Sequence, residues 1–236
     1  MRTLLGQIAS AIAVALALAT IAPGVARASQ ADEAILSEIN FARANPQAYA
    51  QRLLLQPVSD WERALGAGEA SDDPSAREEA IAFLMRQPPL PALRMDDKLA
   101  AAALEHVDDQ GPMGAIGHDG PAGERFDDRI RRHGVQAQIE AENIAYGPAR
   151  PSDVVRELII DSGVPSRGHR RNIFHEDLDS AGVSCGPHRD YGAMCVIDFA
   201  GGGLAAAGWR QARFDAPPAA APMAVSPAEW VLTRGR

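Results

Sequence analysis

Residues 180–200 read SAGVSCGPHRDYGAMCVIDFA, and this stretch decides the fold. Two runs of β-forming residues flank Gly186-Pro187-His188-Arg189-Asp190, a turn-forming segment, so the stretch is expected to fold as a hairpin. If Cys185 lies opposite Cys195, the α-carbons come within the roughly 5.5 Å that a disulfide needs. The chain has no other cysteine. Metal binding or a thiol nucleophile is the rival use, but this spacing with no second pair makes a poor zinc knuckle. The loop such a cross-link closes is short, so its expected contribution is ~2–3 kcal/mol. Gly201-Gly202-Gly203 ends the second strand.

Working outward, the chain before the hairpin is mostly helical in pattern. Ile35, Ile39 and Ala42 form an amphipathic stripe, broken at Asn45-Pro46 before a second helical stretch through Leu55. Residues 57–73 turn to glycine, serine and acids and read as a surface loop. Asp73-Pro74 then starts a helix that Pro88-Pro89 stops, and Asp96 can cap another through about Gln110. GPMGAIGHDGPAG is a glycine-rich loop, 124–133 a helix, and 138–146 a short extended segment. Ser152 is expected to cap DVVRELII, and SRGHRRNIF to add a short turn of helix. Helices followed by a few strands, without βαβ alternation, indicate an α+β fold rather than a parallel sheet.

The two ends differ from this middle. Residues 1–28 combine Arg2, an apolar run from Ala11 to Ile21 and the small residues Ala26-Arg27-Ala28, the pattern of a secretory signal peptide. Its removal would leave 208 residues, one domain, with Lys and Arg falling from 23 to 21 against 31 acids, a net charge of −10. So acidic a chain is a poor partner for nucleic acid. Nothing downstream reaches membrane-span length, and a monomer is expected. Residues 204–236 are rich in alanine and proline and read as an extended, weakly ordered tail, with Trp209, Phe214 and Trp230 able to dock.

Several motifs occur in order: INFARANPQAYA, then GHDG, AENIAYG, SGVPSRGHRRNIF and YGAMCVIDFAGG. Together they resemble the CAP superfamily (SCP domain), which groups cysteine-rich secretory proteins, antigen 5 and pathogenesis-related proteins, and specifically its bacterial secreted branch. The resemblance covers Ala31 to Gly203, within a domain placed at 29–203. It implies a three-layer α-β-α sandwich with a large central cleft, secreted to periplasm or medium.

By motif, His118 and His169 match the family's two cleft histidines and Glu142 its first cleft acid. The position of the second acid falls in ELIIDSG, where Leu158 stands for a tryptophan and Asp161 for the acid. Aspartate is one methylene, about 1.5 Å, shorter than glutamate. Glu157 is the nearest alternative, one helical turn away. Two imidazoles and two carboxylates, His118, Glu142, Asp161 and His169, make a sensible divalent-ion site, with Zn²⁺ the best match. No cofactor is required, and the bland alternative is a hydrogen-bonded tetrad without metal. His118, Glu142 and His169 are the candidates for any catalysis. Ser162 and Ser166 lie near His169 in sequence, but no G-x-S-x-G elbow surrounds them.

The other histidines read as structural. His106 packs on its helix, His133 sits at a helix end, and His175 and His188 lie in loops. Arg167, Arg170 and Arg171 cluster beside His169, with Glu176, Asp177 and Asp179 as their candidate partners. Two functions compete. One is a secreted binding module whose cleft takes a lipid, peptide or envelope component, with or without a cation. The other is a metal-dependent hydrolase acting on peptides or envelope polymers. A fold alone does not choose between them.

Overall fold

The computed structural model describes residues 29–55, 74–202 and 231–234. The signal-like residues 1–28, the whole 57–73 loop and residues 203–230 lie outside the described residues. Helices α1 (Gln30–Ala44), α2 (Pro46–Leu55) and α3 (Pro74–Arg86) come first. Strand β1 (Arg94–Met95), helix α4 (Asp97–Gln110) and helix α5 (Phe126–Arg132) follow. Strand β2 (Ile139–Tyr146) leads to α6 (Pro151–Ile160) and α7 (Gly168–Ile173). Strands β3 (Leu178–His188) and β4 (Gly192–Gly201) form the hairpin, and β5 (Val231–Arg234) comes from the tail.

Local chemistry sets most of these boundaries. The Ser29 hydroxyl accepts from the Asp32 amide while Asp32 accepts from the Ser29 amide, a capping box that starts α1. Asp96 accepts from the Lys98 and Leu99 amides and starts α4. Helix α6 departs from expectation: its N-cap is Arg150, which makes no side-chain cap bond. Pro151 takes the first helical position, where its fixed φ and missing N–H cost nothing, so Ser152 already lies inside the helix.

The sheet order is β1-β3-β4-β2-β5. Strands β3 and β4 pair antiparallel with Cys185 opposite Cys195, and the disulfide is formed. Strand β2 pairs antiparallel with β4 and, on its other side, with β5. Two strands go beyond those expected from the sequence. Strand β1 is two residues long and pairs parallel to β3, and Val231–Arg234 of the tail occupies the edge of β2.

Strand alternation separates two helical layers. Ala141, Ala145, Ala181, Val183, Ile197 and Phe199 face one core with residues of α1, α2, α3, α6 and α7. Ile144, Tyr146, Met194 and Val196 face the other way, onto Ala103 and Val107 of α4. Helix α5 packs beside α4 through Phe126 and Ile130. The result is the α-β-α sandwich of an α+β fold. Arg43 closes the first layer from inside. It is fully buried and donates to the carbonyls of Pro91, Ile173, His175 and Leu178 at 2.6–3.3 Å. With desolvation unrelieved by any acid among those partners, its pKa falls to about 10.

Candidate functional site

Strand β2 carries Glu142 and Asn143 in succession, so their side chains leave on opposite faces of the sheet. Glu142 points to the α4/α5 layer. Its Oε1 accepts from Nδ1 of His118 at 2.7 Å, and its Oε2 accepts from Arg129 of α5. Asn143 points to the other layer, where its amide donates to the carbonyl of His169 at 3.1 Å and its Oδ1 accepts from Asn172. The adjacent residues of one strand thus reach both histidine segments.

Asp161 is the C-cap of α6 and adopts the left-handed conformation, φ 58° and ψ 45°. Aspartate tolerates this region better than most residues. The conformation turns its carboxylate onto the start of α7. Oδ1 meets Nδ1 of His169 at 2.7 Å, and Oδ2 accepts from the His169 amide at 2.9 Å and more weakly from the Arg170 amide at 3.3 Å. The shorter acid therefore reaches its histidine, because the C-cap brings the backbone close.

All four family-matched residues are buried, His118 being the most exposed at 7%. They come together as two pairs, His118 with Glu142 and His169 with Asp161. Each carboxylate holds a histidine by Nδ1, which makes it an orienting partner and leaves Nε2 as the remaining ring atom. Nε2 of His169 is buried and, among the described residues, has no hydrogen-bond partner. Among the described residues no group of three or more histidines, cysteines, aspartates or glutamates is placed to hold a metal ion. The donor chemistry agrees: Glu142 is occupied by His118 and Arg129, and Asp161 by His169 and Arg170. Four direct ligands do not fit. That leaves only the two imidazoles as nitrogen donors, fewer than the three protein ligands of catalytic zinc sites. The Asp161–His169 pair also resembles half of a nucleophile-activating triad, but Nε2 meets no hydroxyl.

Three residues with no assigned site role in the sequence belong to this region. Arg129 is 1% exposed, and its Nη1 donates to Nδ1 of His106 at 2.9 Å. His106 is itself fully buried, and Nε2 donates to the Gly117 carbonyl at 2.9 Å. Burial, with the Arg129 charge beside it, lowers its pKa to about 3, so it is neutral. Asp198 of β4 lies directly across the ladder from Glu142. Neither of its oxygens accepts a hydrogen bond from an N–H or hydroxyl. Burial and the neighbouring carboxylate raise its pKa well above the usual range, and burial raises that of Glu142 to about 7. One proton shared between the two carboxyls satisfies both. The alternation Glu140, Glu142, Ile144, Tyr146 could have signalled buried acids on one face, but nothing in FDDRIRR marks Arg129 as different from its neighbours.

The basic cluster finds a partner from elsewhere. Arg167 and Arg170 both pair with Glu79 of α3, at 2.8 and 3.0 Å, rather than with Glu176, Asp177 or Asp179. The α3 helix packs against α6 and so brings Glu79 over the start of α7. His133 pairs with Glu105 at 2.6 Å, and His188 lies buried at the end of β3, donating to Ala115. A separate pocket of about 360 Å³ includes Arg94, Asp96, Lys98, Gly134, Asp179 and Gly201 in its lining and none of the four matched residues.

The fold is a three-layer sandwich with two histidine–carboxylate pairs beside one strand. The model of the cysteine-rich secretory protein (CAP) family matches residues 36–199, and the chain belongs to that family. It is similar in structure to an extracellular protein containing an SCP domain from Bacillus anthracis, with 22% identity over 54% of this chain and 40% of that one and a TM-score of 0.39. It is also similar to an outer surface protein from Borrelia burgdorferi, with 20% identity over 62% of this chain and 96% of that one and a TM-score of 0.40. The chain spans less than half of the Bacillus protein. No curated protein matches it. Among the described residues no helix is long and apolar enough to cross a membrane.

Proposed function

We propose that this chain is an exported binding module whose ligand is met by the two carboxylate-oriented histidines, His118 and His169. The observation that carries the reading is Nε2 of His169, a buried lone pair without a donor on a ring held in place by Asp161. Leaving such a group unsatisfied costs about 1–3 kcal/mol, which a partner from outside the chain would recover. Export is supported by the Cys185–Cys195 disulfide, which suits an oxidising compartment, and by the signal-like residues 1–28. A divalent cation at these histidines would be held by imidazole nitrogens with water completing its shell, so Zn²⁺ is an exchangeable ligand here and not a structural one. A metal-dependent hydrolase is less well supported, because it needs a carboxylate able to take a proton from water. Glu142 and Asp161 are both engaged.

Zn²⁺ serves as the probe of the two rings. Titration calorimetry on the chain from residue 29 onward should show weak binding that His169→Ala abolishes and His118→Ala weakens. No binding at millimolar Zn²⁺, or binding that neither substitution changes, would sink the reading.

A further inference from the structure

Three residues and a loop histidine close a hydrogen-bonded ring. Arg129 donates through Nη1 to His106 and through Nη2 to Glu142. Glu142 accepts from His118. His118 follows Gly117, whose carbonyl accepts from the other nitrogen of His106. None of these four side chains belongs to a residue more than 7% exposed.

The chemistry of the ring fixes every proton. A guanidinium only donates and keeps its charge in proteins. Nδ1 of His106 must therefore be the acceptor, which puts its proton on Nε2, facing a carbonyl that can only accept. With the proton of the Glu142–Asp198 pair on Asp198, Glu142 is the ionised member beside Arg129 and accepts at both oxygens, so the proton between it and His118 sits on Nδ1 of His118. We infer that Arg129 and His106 are positioning residues for His118, holding its ring as the Nδ1–H tautomer, with the lone pair on Nε2. This deepens the binding reading above and takes its functional meaning from it. His169 reaches the same state by its own bond to Asp161.

The ring does more than hold the loop, because the loop has other anchors. Gln110 donates to the carbonyls of Gly117 and Asp119 at 2.9 and 3.3 Å. The Tyr146 hydroxyl accepts from the Gly117 amide at 2.9 Å and donates to Gln110. Loss of the ring should alter the state of the His118 imidazole while Gln110 and Tyr146 keep its backbone in place.

Long-range ¹H–¹⁵N correlation spectra report histidine tautomers directly and need no ligand. At neutral pH the unliganded protein should show His118 as Nδ1–H and His106 as Nε2–H. In Arg129→Met, Glu142 loses its fixed cation, and the His118 nitrogens should shift away from the single Nδ1–H pattern. His106→Leu should shift them in the same sense, and His106→Gln, whose amide supplies both an acceptor and a donor, should restore them. An Nε2–H tautomer at His118 in the unsubstituted protein would overturn the inference whatever the variants do. So would an unchanged His118 pattern in folded Arg129→Met, or, if that variant does not fold, in His106→Leu. Failure of Zn²⁺ to bind while the tautomers stand as stated would count against the binding reading alone.

Discussion

Glu142 on β2 and Asp198 on β4 are direct partners across the antiparallel ladder, and both are fully buried. One guanidinium, that of Arg129, bonds to Glu142, and among the described residues no N–H or hydroxyl bonds to Asp198. The folded state therefore holds a proton that the unfolded chain gives up above the ordinary carboxylate range.

Both acids have raised pKa values in the folded state, so the stability lost through them grows as pH rises. It is absent below about pH 4, where folded and unfolded chains are both protonated, and develops up to and beyond about 7, the value for Glu142. Asp198→Asn removes one acid and supplies a neutral donor to Glu142. Unfolding measured from about pH 4 to about pH 8 should find the variant close to the parent at the acid end. Above that it should gain about 1 kcal/mol on the parent per pH unit. Comparing variant with parent cancels groups that act the opposite way, such as His106. A constant difference across the range would mean that the carboxyl pair does not share a proton.

Arg43 makes the second case. Its guanidinium supplies donors to four backbone carbonyls, and none of the four belongs to its own helix. Arg43→Met fills similar space but leaves those carbonyls without that donor. The expected cost is about 3–5 kcal/mol of unfolding free energy in denaturant. A loss below about 1 kcal/mol would show that water replaces the guanidinium at no penalty.

What the sequence reveals here depends on how local the cause is. Asp96 capping α4 and Pro74 opening α3 are legible because cap and proline act within one turn. The pairing of Cys185 with Cys195 is legible because a hairpin fixes register from a short turn. Strand β1 is not, since two residues carry no periodicity and only β3 makes them a strand. Val231–Arg234 is hidden by the alanine- and proline-rich residues before it. For the candidate site, GHDG, AENIA and GHRRN point to His118, Glu142 and His169, and ELIIDSG to Asp161. Their division into two histidine–carboxylate pairs comes from β2 sending Glu142 and Asn143 to opposite faces. Arg129 sits in FDDRIRR among charges of which Asp128, Arg131 and Arg132 reach solvent, and its burial is imposed by Glu142 and His106, residues 13 and 23 positions away.

The disulfide joins residues that the β3–β4 ladder already holds opposite each other, ten positions apart in sequence. The cross-link acts on the unfolded chain, where it closes only a short loop, so its contribution should be ~2–3 kcal/mol. Reduction should lower the melting temperature by about 5–10 °C without changing the fold. A thiol assay on denatured protein should find no free thiol before reduction and two after. Free thiols before reduction, or unfolding on reduction at room temperature, would contradict this.

Gly182 on β3 is where α4 lies closest to the sheet. A β-carbon built there would stand 2.0 Å from the Ala100 amide nitrogen and 2.1 Å from the Leu99 carbonyl carbon. Those are backbone atoms, so no side-chain rotation relieves the clash, and the helix would have to lift. Helix α4 carries His106 and Gln110, which hold the His118 loop, so lifting it disturbs the site as well as the core. Gly182→Ala should cost about 3 kcal/mol or more, the upper end of overpacking effects. It should also broaden the His118 resonances. Gly192, the first residue of β4, has open space where a β-carbon would go, although its φ of +80° disfavours alanine. Gly192→Ala should cost about 1–2 kcal/mol through backbone strain alone and leave His118 unchanged. Equal losses in the two variants, or a sharp His118 signal in both, would show that α4 does not rest on Gly182.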